Sequence, residues 1–208
     1  MTLIKICGIT NLDDALASVA AGADALGFNF YKLSPRYITP QNAREIVEQL
    51  PAPVLTVGVF VNEESPESVR NIASEAGIKA LQLHGDESPR YCQELADRFV
   101  IKALAVSTNF DNQVVHAYQT EAIMLDTKDN ALRGGTGRRF DWSIAKQVNQ
   151  LGKKIFLAGG LSPDNVAEAI ETVRPYAVDA CSALEERPGI KKHERLRTFV
   201  DAARSVQT

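Results

Sequence analysis

Eight short apolar runs recur along the chain, and their number and spacing restrict the fold more than any other feature. They cover residues 3–7, 25–30, 55–61, 80–83, 100–106, 122–126, 154–158 and 177–181. The longer segments between them carry helix-start signals: Thr10 before Asp13, Ser65-Pro66-Glu67, Ser88-Pro89, Asp141-Trp142 and Ser162-Pro163-Asp164. A strand followed by a helix, repeated, builds a parallel sheet covered by helices. Eight repeats of about 25 residues favour closure into a (β/α)8 TIM barrel, and 208 residues fits the short end of that fold's range. An open doubly wound sheet usually shows a GxGxxG turn after its first strand, which Gly8-Ile9-Thr10 does not match. No linker or low-complexity stretch interrupts the pattern, so one α/β domain is expected over residues 1–208.

The helical segments should lie on that sheet. Residues 11–21 set Leu12, Ala15, Leu16, Val19 and Ala20 on one stripe, and residues 192–205 do the same with Leu196, Phe199, Val200 and Ala203. At 45% hydrophobic and 24% charged residues, with no apolar run near the roughly 18 residues of a membrane span, neither disorder nor membrane association is expected. Lys5, Asp13 and Asp14 interrupt the stretch where an export signal would be apolar, which predicts a cytoplasmic address. Cys7, Cys92 and Cys181 are odd in number and widely spaced, so free thiols are expected rather than a disulfide framework or a zinc site. A net charge of -3 argues against a nucleic-acid partner.

In this barrel the chemistry sits where strands end and loops begin. Cys7 closes the first run and shares strand parity with Lys5, so both should point inward, as a packed hydrophobe or as a working thiol. Asp126 ends the apolar run before it, where a carboxyl is costly unless paired, or else caps the next loop. Asp179 is either a buried partner for Lys5 or a ligand contact. Gly159 and Gly160, between the seventh strand and a helix, would let a phosphate approach backbone N–H groups, although an ordinary tight turn also uses two glycines. Arg36 lies in a loop stiffened by Pro35 and Pro40 and offers a planar fork for a carboxylate. His84 ends the fourth strand and can titrate, contact a ligand or cap the turn at Gly85. The basic, glycine-rich residues 133–139 read either as a lid or as a plain loop.

Taken in order, KICGIT, GFNFYKLSPRYI, LQLHGDE, MLDTK, GGTGRRFDW and LAGGLSPDNV resemble the phosphoribosylanthranilate isomerase family over nearly the whole chain, from Leu3 to about Ile190. The resemblance implies a tryptophan-pathway Amadori rearrangement of N-(5-phosphoribosyl)anthranilate to 1-(2-carboxyphenylamino)-1-deoxyribulose 5-phosphate, with neither cofactor nor metal. It puts Asp126 at the general acid, which calls for surroundings that favour the protonated form. It puts Cys7 at the general base, and a thiol with a pKa near about 8.5 needs nearby positive charge to serve, for which Lys5 is a candidate. Arg36 falls at the contact to the anthranilate carboxylate, His84 near the anthranilate side, Gly159, Gly160 and Ser182 at the phosphate, and Asp179 near the ribose. The partner is therefore a small phosphorylated molecule, and a monomer is preferred over a homodimer.

One segment departs from that resemblance. The family usually reads V-S-S-G-V-E after the eighth strand, and this chain has Cys181 and Ala183 where the first serine and the glycine stand. The thiol is a weaker donor and the extra Cβ restricts φ, so looser phosphate binding is expected. A sister isomerase of histidine biosynthesis shares the fold and chemistry but normally carries aspartates at both acid and base positions, against which Cys7 speaks. A non-catalytic ligand-binding barrel would not need Cys7 and Asp126 together.

Overall fold

The computed structural model describes residues 1–107, 109–127 and 141–206. Every apolar run forms a strand: β1 (Leu3–Cys7), β2 (Ala25–Asn29), β3 (Leu55–Phe60), β4 (Ala80–Leu83), β5 (Phe99–Val106), β6 (Ala122–Thr127), β7 (Lys154–Leu157) and β8 (Ala177–Ala180). They join in chain order into a closed parallel barrel, whose seam is made by β1 on β8 with Lys5 opposite Asp179 and Ile6 opposite Ala180. The outer layer holds α1 (Leu12–Ala21), α2 (Pro40–Val47), α3 (Pro66–Glu75), α4 (Pro89–Glu94), α5 (Trp142–Asn149), α6 (Val166–Val173) and α7 (His193–Ser205). A 3₁₀ helix, Asn112–Ala117, replaces the expected α-helix between β5 and β6. After β8 the chain makes a 3₁₀ turn, Ser182–Leu184, and a small antiparallel ribbon of β9 (Glu185–Arg187) and β10 (Ile190–Lys191), neither of which the periodicity predicted. The accessible surface, 9807 Å², matches the roughly 9,500 Å² that area scaling expects of a compact chain this size. No helix among the described residues is long and apolar enough to cross a membrane.

Ser65, Ser88 and Asp141 cap their helices as predicted, each side chain accepting a backbone N–H of the first turn. Two helix starts differ. Asn11, not Thr10, caps α1, its side chain accepting the Asp14 N–H at 2.8 Å. The helix after Ser162-Pro163-Asp164 begins only at Val166, because Asn165 spends its side chain bracing the turn: it accepts the Ser162 N–H and donates to the Gly160 carbonyl, both at 2.9 Å. The predicted stripe on α1 is also rotated. Asp14, Ala15 and Ser18 are buried while Leu16 is 40% exposed. Asp14 fixes this roll, since its carboxylate accepts the Lys191 N–H at 2.8 Å and meets His193 Nε2 at 2.8 Å, tying the C-terminal segment to α1. The stripe on α7 is as read, with Leu196, Phe199, Val200 and Ala203 buried.

Side chains alternate across each strand, so one parity fills the barrel. Ala25, Val57, Ala80, Ile101, Met124, Phe156 and Ala177 pack its interior as a separate apolar cluster. The same parity carried toward the C-terminal strand ends turns polar, with Lys5, Cys7, Gln82, Asp126 and Asp179 all buried.

Candidate active site

The polar end opens into a cavity of about 230 Å³ lined by Cys7, Arg36, Gln82, His84, Asp126 and Asp179, among others. Beside it lies a smaller cavity of about 40 Å³, formed by Gly159, Gly160 and Ser182 with Asp126, Asp179 and Cys181. Asp126, Asp179 and Cys181 therefore face both. Every site residue expected from the sequence lines one of these two cavities. Residues 133–139, read as a lid or a plain loop, lie outside the described residues.

Cys7 ends β1 with its sulfur in the interior. A Cβ placed on Gly27 would stand 2.7 Å from Cys7 Sγ and 3.1 Å from Lys5 Nζ, so glycine there lets thiol and ammonium crowd one spot. Lys191, fully buried, donates from Nζ to the Cys7 carbonyl oxygen at 2.6 Å. A hydrogen bond with Cys181 and the charges of Lys5 and Lys191 together overcome burial and hold the Cys7 thiol well below its ordinary range. The same hydrogen bond, with burial, pushes the Cys181 thiol well above its own. Positive charge thus reaches Cys7 from two lysines, of which parity predicted Lys5.

Lys5 is bonded to Asp179 at 2.7 Å, with Lys5 wholly buried. Burial pushes the Asp179 carboxyl up to about 6 in spite of Lys5. Burial would also pull Lys5 down, but Asp179 and Cys7 more than offset it and Lys5 stays protonated. Asp126 ends β6 and is 8% exposed. Its Oδ1 accepts the Thr127 N–H at 2.7 Å, while Oδ2 faces His84 Nε2 at 3.3 Å. His84 Nδ1 in turn meets Gln82 Nε2 at 2.7 Å. His84, expected on the anthranilate side, is thus engaged at both ring nitrogens and coupled to Asp126.

Arg36 does offer a fork, but part of it is spoken for. Nε donates to Glu185 Oε1 at 2.8 Å and Nη2 to Oε2 at 2.7 Å, leaving Nη1 without a hydrogen bond among the described residues. Glu185 also accepts Lys191 Nζ at 3.1 Å, and against burial these two cations hold its carboxyl below the usual range. Gly159 and Gly160 have φ of +82° and +71°, so the turn after β7 needs glycine. Of the two departures after β8, Ala183 has no positive φ and sits in the 3₁₀ turn, so the strain expected of its Cβ is not met. Cys181 turns its sulfur toward Glu185 Oε1, at 3.8 Å, and Lys191 Nζ, at 3.9 Å.

The family model of N-(5'phosphoribosyl)anthranilate (PRA) isomerase matches residues 4–202 of this chain. The chain belongs to the phosphoribosylanthranilate isomerase family. It is 47% identical to the N-(5'-phosphoribosyl)anthranilate isomerase of Thermotoga petrophila over 99% of its own length and 100% of that protein's. It is also similar to a phosphoribosyl anthranilate isomerase solved in complex with reduced 1-(o-carboxyphenylamino)-1-deoxyribulose 5-phosphate, at 44% identity and a TM-score of 0.89, covering 99% of this chain and 100% of that one. A third similarity, at 44% identity and a TM-score of 0.88 with the same coverage, is to monomers generated from the dimeric enzyme of Thermotoga maritima.

Sequence reasoning missed three members of this isomerase's site. Gln82 shares parity with His84 two residues on, a signal that alternation does carry. Glu185 and Lys191 sit in a polar segment with no periodicity, and they reach Arg36 and Cys7 only through contacts 149 and 184 residues apart in sequence.

Proposed function

We propose that this isomerase converts N-(5-phosphoribosyl)anthranilate to 1-(2-carboxyphenylamino)-1-deoxyribulose 5-phosphate, a step of tryptophan biosynthesis, with Asp126 as general acid and Cys7 as general base. The observation that carries the assignment is a thiol poised toward thiolate opening on the same cavity as a buried carboxyl. Asp126 delivers a proton from Oδ2 to the ribose ring oxygen as the anthranilate nitrogen forms the Schiff base, while the Thr127 N–H holds Oδ1 still. The Cys7 thiolate then removes the C2′ proton, and the resulting enolamine becomes the ketone. The Cys181 hydrogen bond, with the charges of Lys5 and Lys191, favours that thiolate.

Recognition divides between the two cavities. Arg36 meets the anthranilate carboxylate through Nη1, with Glu185 fixing the plane of the guanidinium. The phosphate lies against the loops of Gly159, Gly160 and Ser182, where backbone N–H groups and a hydroxyl are the donors. Asp179 contacts the ribose while it holds Lys5. We infer that the chain acts as a monomer, and sedimentation at assay concentration tests that state.

The test is a fluorescence assay of substrate made in situ. Cys7→Ser and Asp126→Asn should each lower kcat about 10²–10⁴-fold with folding intact. Either variant remaining within about tenfold of the parent at saturating substrate refutes its role.

A further inference from the structure

In the proton-transfer scheme Cys181 only hydrogen-bonds the base, against which its thiol lies. The seam between β1 and β8 pairs Lys5 with Asp179 and Ile6 with Ala180, which brings the next residues, Cys7 and Cys181, opposite each other at the strand ends. Neighbouring strands run about 4.8 Å apart, within the Cα separation of about 4.4–6.8 Å that a disulfide spans. Lys191 Nζ marks how close the two residues are: it is 2.6 Å from the Cys7 carbonyl oxygen, 3.3 Å from that of Cys181 and 3.9 Å from Cys181 Sγ. Both cysteines line the larger cavity at the barrel mouth, so a small oxidant that enters where substrate enters meets both. Cys92 differs in each respect. It is 1% exposed within α4, and burial pushes its thiol up to about 11.

We propose that Cys7 and Cys181 form a peroxide-oxidisable dithiol, a modification site that closes reversibly into a disulfide across the barrel seam. The Cys7 thiolate attacks one oxygen of a hydroperoxide. The O–O bond breaks, Cys7 becomes the sulfenic acid, and the departing oxygen takes up a proton to leave as water or an alcohol. The Cys181 sulfur then attacks the Cys7 sulfur, the S–O bond breaks, and hydroxide leaves as water with the Cys181 proton. The two sulfurs together give up the two electrons that the peroxide accepts. A substrate in the cavity shields the pair, and a dithiol reductant restores both thiols. The bridge follows from the seam alone; the accompanying loss of turnover rests on Cys7 being the base.

The parent chain, Cys181→Ser and Cys92→Ser are treated with hydrogen peroxide, followed by peptide mass mapping without reduction and by activity before and after dithiothreitol. The parent and Cys92→Ser should show a peptide joining Cys7 to Cys181, lose about tenfold or more of their activity, and regain it on reduction. Cys181→Ser, compared with its own untreated activity, should pass to the Cys7 sulfinic acid and stay inactive. Loss of parental activity that reduction does not reverse, sulfinic Cys7 with no joined peptide, or full recovery of Cys181→Ser each overturns the proposal. A joined peptide with undiminished turnover upholds the dithiol and removes Cys7 from the base role instead.

Discussion

Gly159 should matter as much to the acid as to the phosphate. A Cβ there would stand 2.8 Å from the Thr127 backbone nitrogen and 3.2 Å from Asp126 Oδ1, and would also strike Thr127 Oγ1. Gly159→Ala therefore incurs two costs: about 1–2 kcal/mol for a left-handed φ in a residue with a Cβ, and about 1–3 kcal/mol for overpacking against a strand end. Gly152 separates them, since its φ is +78° with nothing within 4 Å of an added Cβ. Gly152→Ala should thus show the φ cost alone. At about 2–4 °C per kcal/mol for a domain this size, Gly159→Ala should melt about 2–12 °C below Gly152→Ala. To make room, the end of β6 must give by several tenths of an ångström and carry Asp126 with it. Since a displacement near 1 Å costs about 10²-fold, kcat should fall on the order of tenfold in Gly159→Ala and hardly at all in Gly152→Ala. Scanning calorimetry and steady-state kinetics on the two purified variants decide the matter. Equal melting temperatures, or a Gly159→Ala kcat within about twofold of the parent, would refute the packing argument.

Asp179→Asn strands the Lys5 ammonium in the barrel and should cost about 3–5 kcal/mol in urea unfolding, most of it regained when Lys5→Met is added; a single variant within about 1 kcal/mol of the parent contradicts this. Lys191→Met removes one of the charges that lower the Cys7 thiol, so the thiolate forms at higher pH and the acid-side limb of kcat/KM should move up the pH scale. Activity then falls below that limb and recovers in alkali, whereas an unmoved limb shows that Lys191 does not act on Cys7. Arg36→Met should raise KM for the full substrate while calorimetric binding of a pentulose 5-phosphate stays nearly unchanged, and equal loss of both ligands rules out the carboxylate role.

What was legible in the sequence was whatever depends on neighbours along the chain. Apolar runs located all eight strands, parity sent Lys5 and Cys7 inward, and Asp126 and Asp179 stood out as carboxyls set against apolar runs. The roll of α1 was not legible, because Asp14 is buried for the sake of Lys191 and His193, which are 177 and 179 residues away. The charge on Cys7 from Lys191 and the occupation of Arg36 by Glu185 have the same origin. Both come from a polar ribbon that no periodicity marks, and their geometry exists only after the barrel has closed. His84 was visible as a polar strand end, but its attachment to Asp126 needed β4 and β6 to face one another across the interior.

The seam where β1 meets β8 also orders events in time. A ribosome makes Cys7 long before its partners: the ammonium that grips its carbonyl belongs to residue 191, and the thiol that hydrogen-bonds it belongs to residue 181. An unfinished chain of 180 residues holds only Lys5 of the three groups that lower the Cys7 thiol. The full lowering of that thiol therefore waits until the end of β8 and the ribbon after it have been translated and have closed on β1.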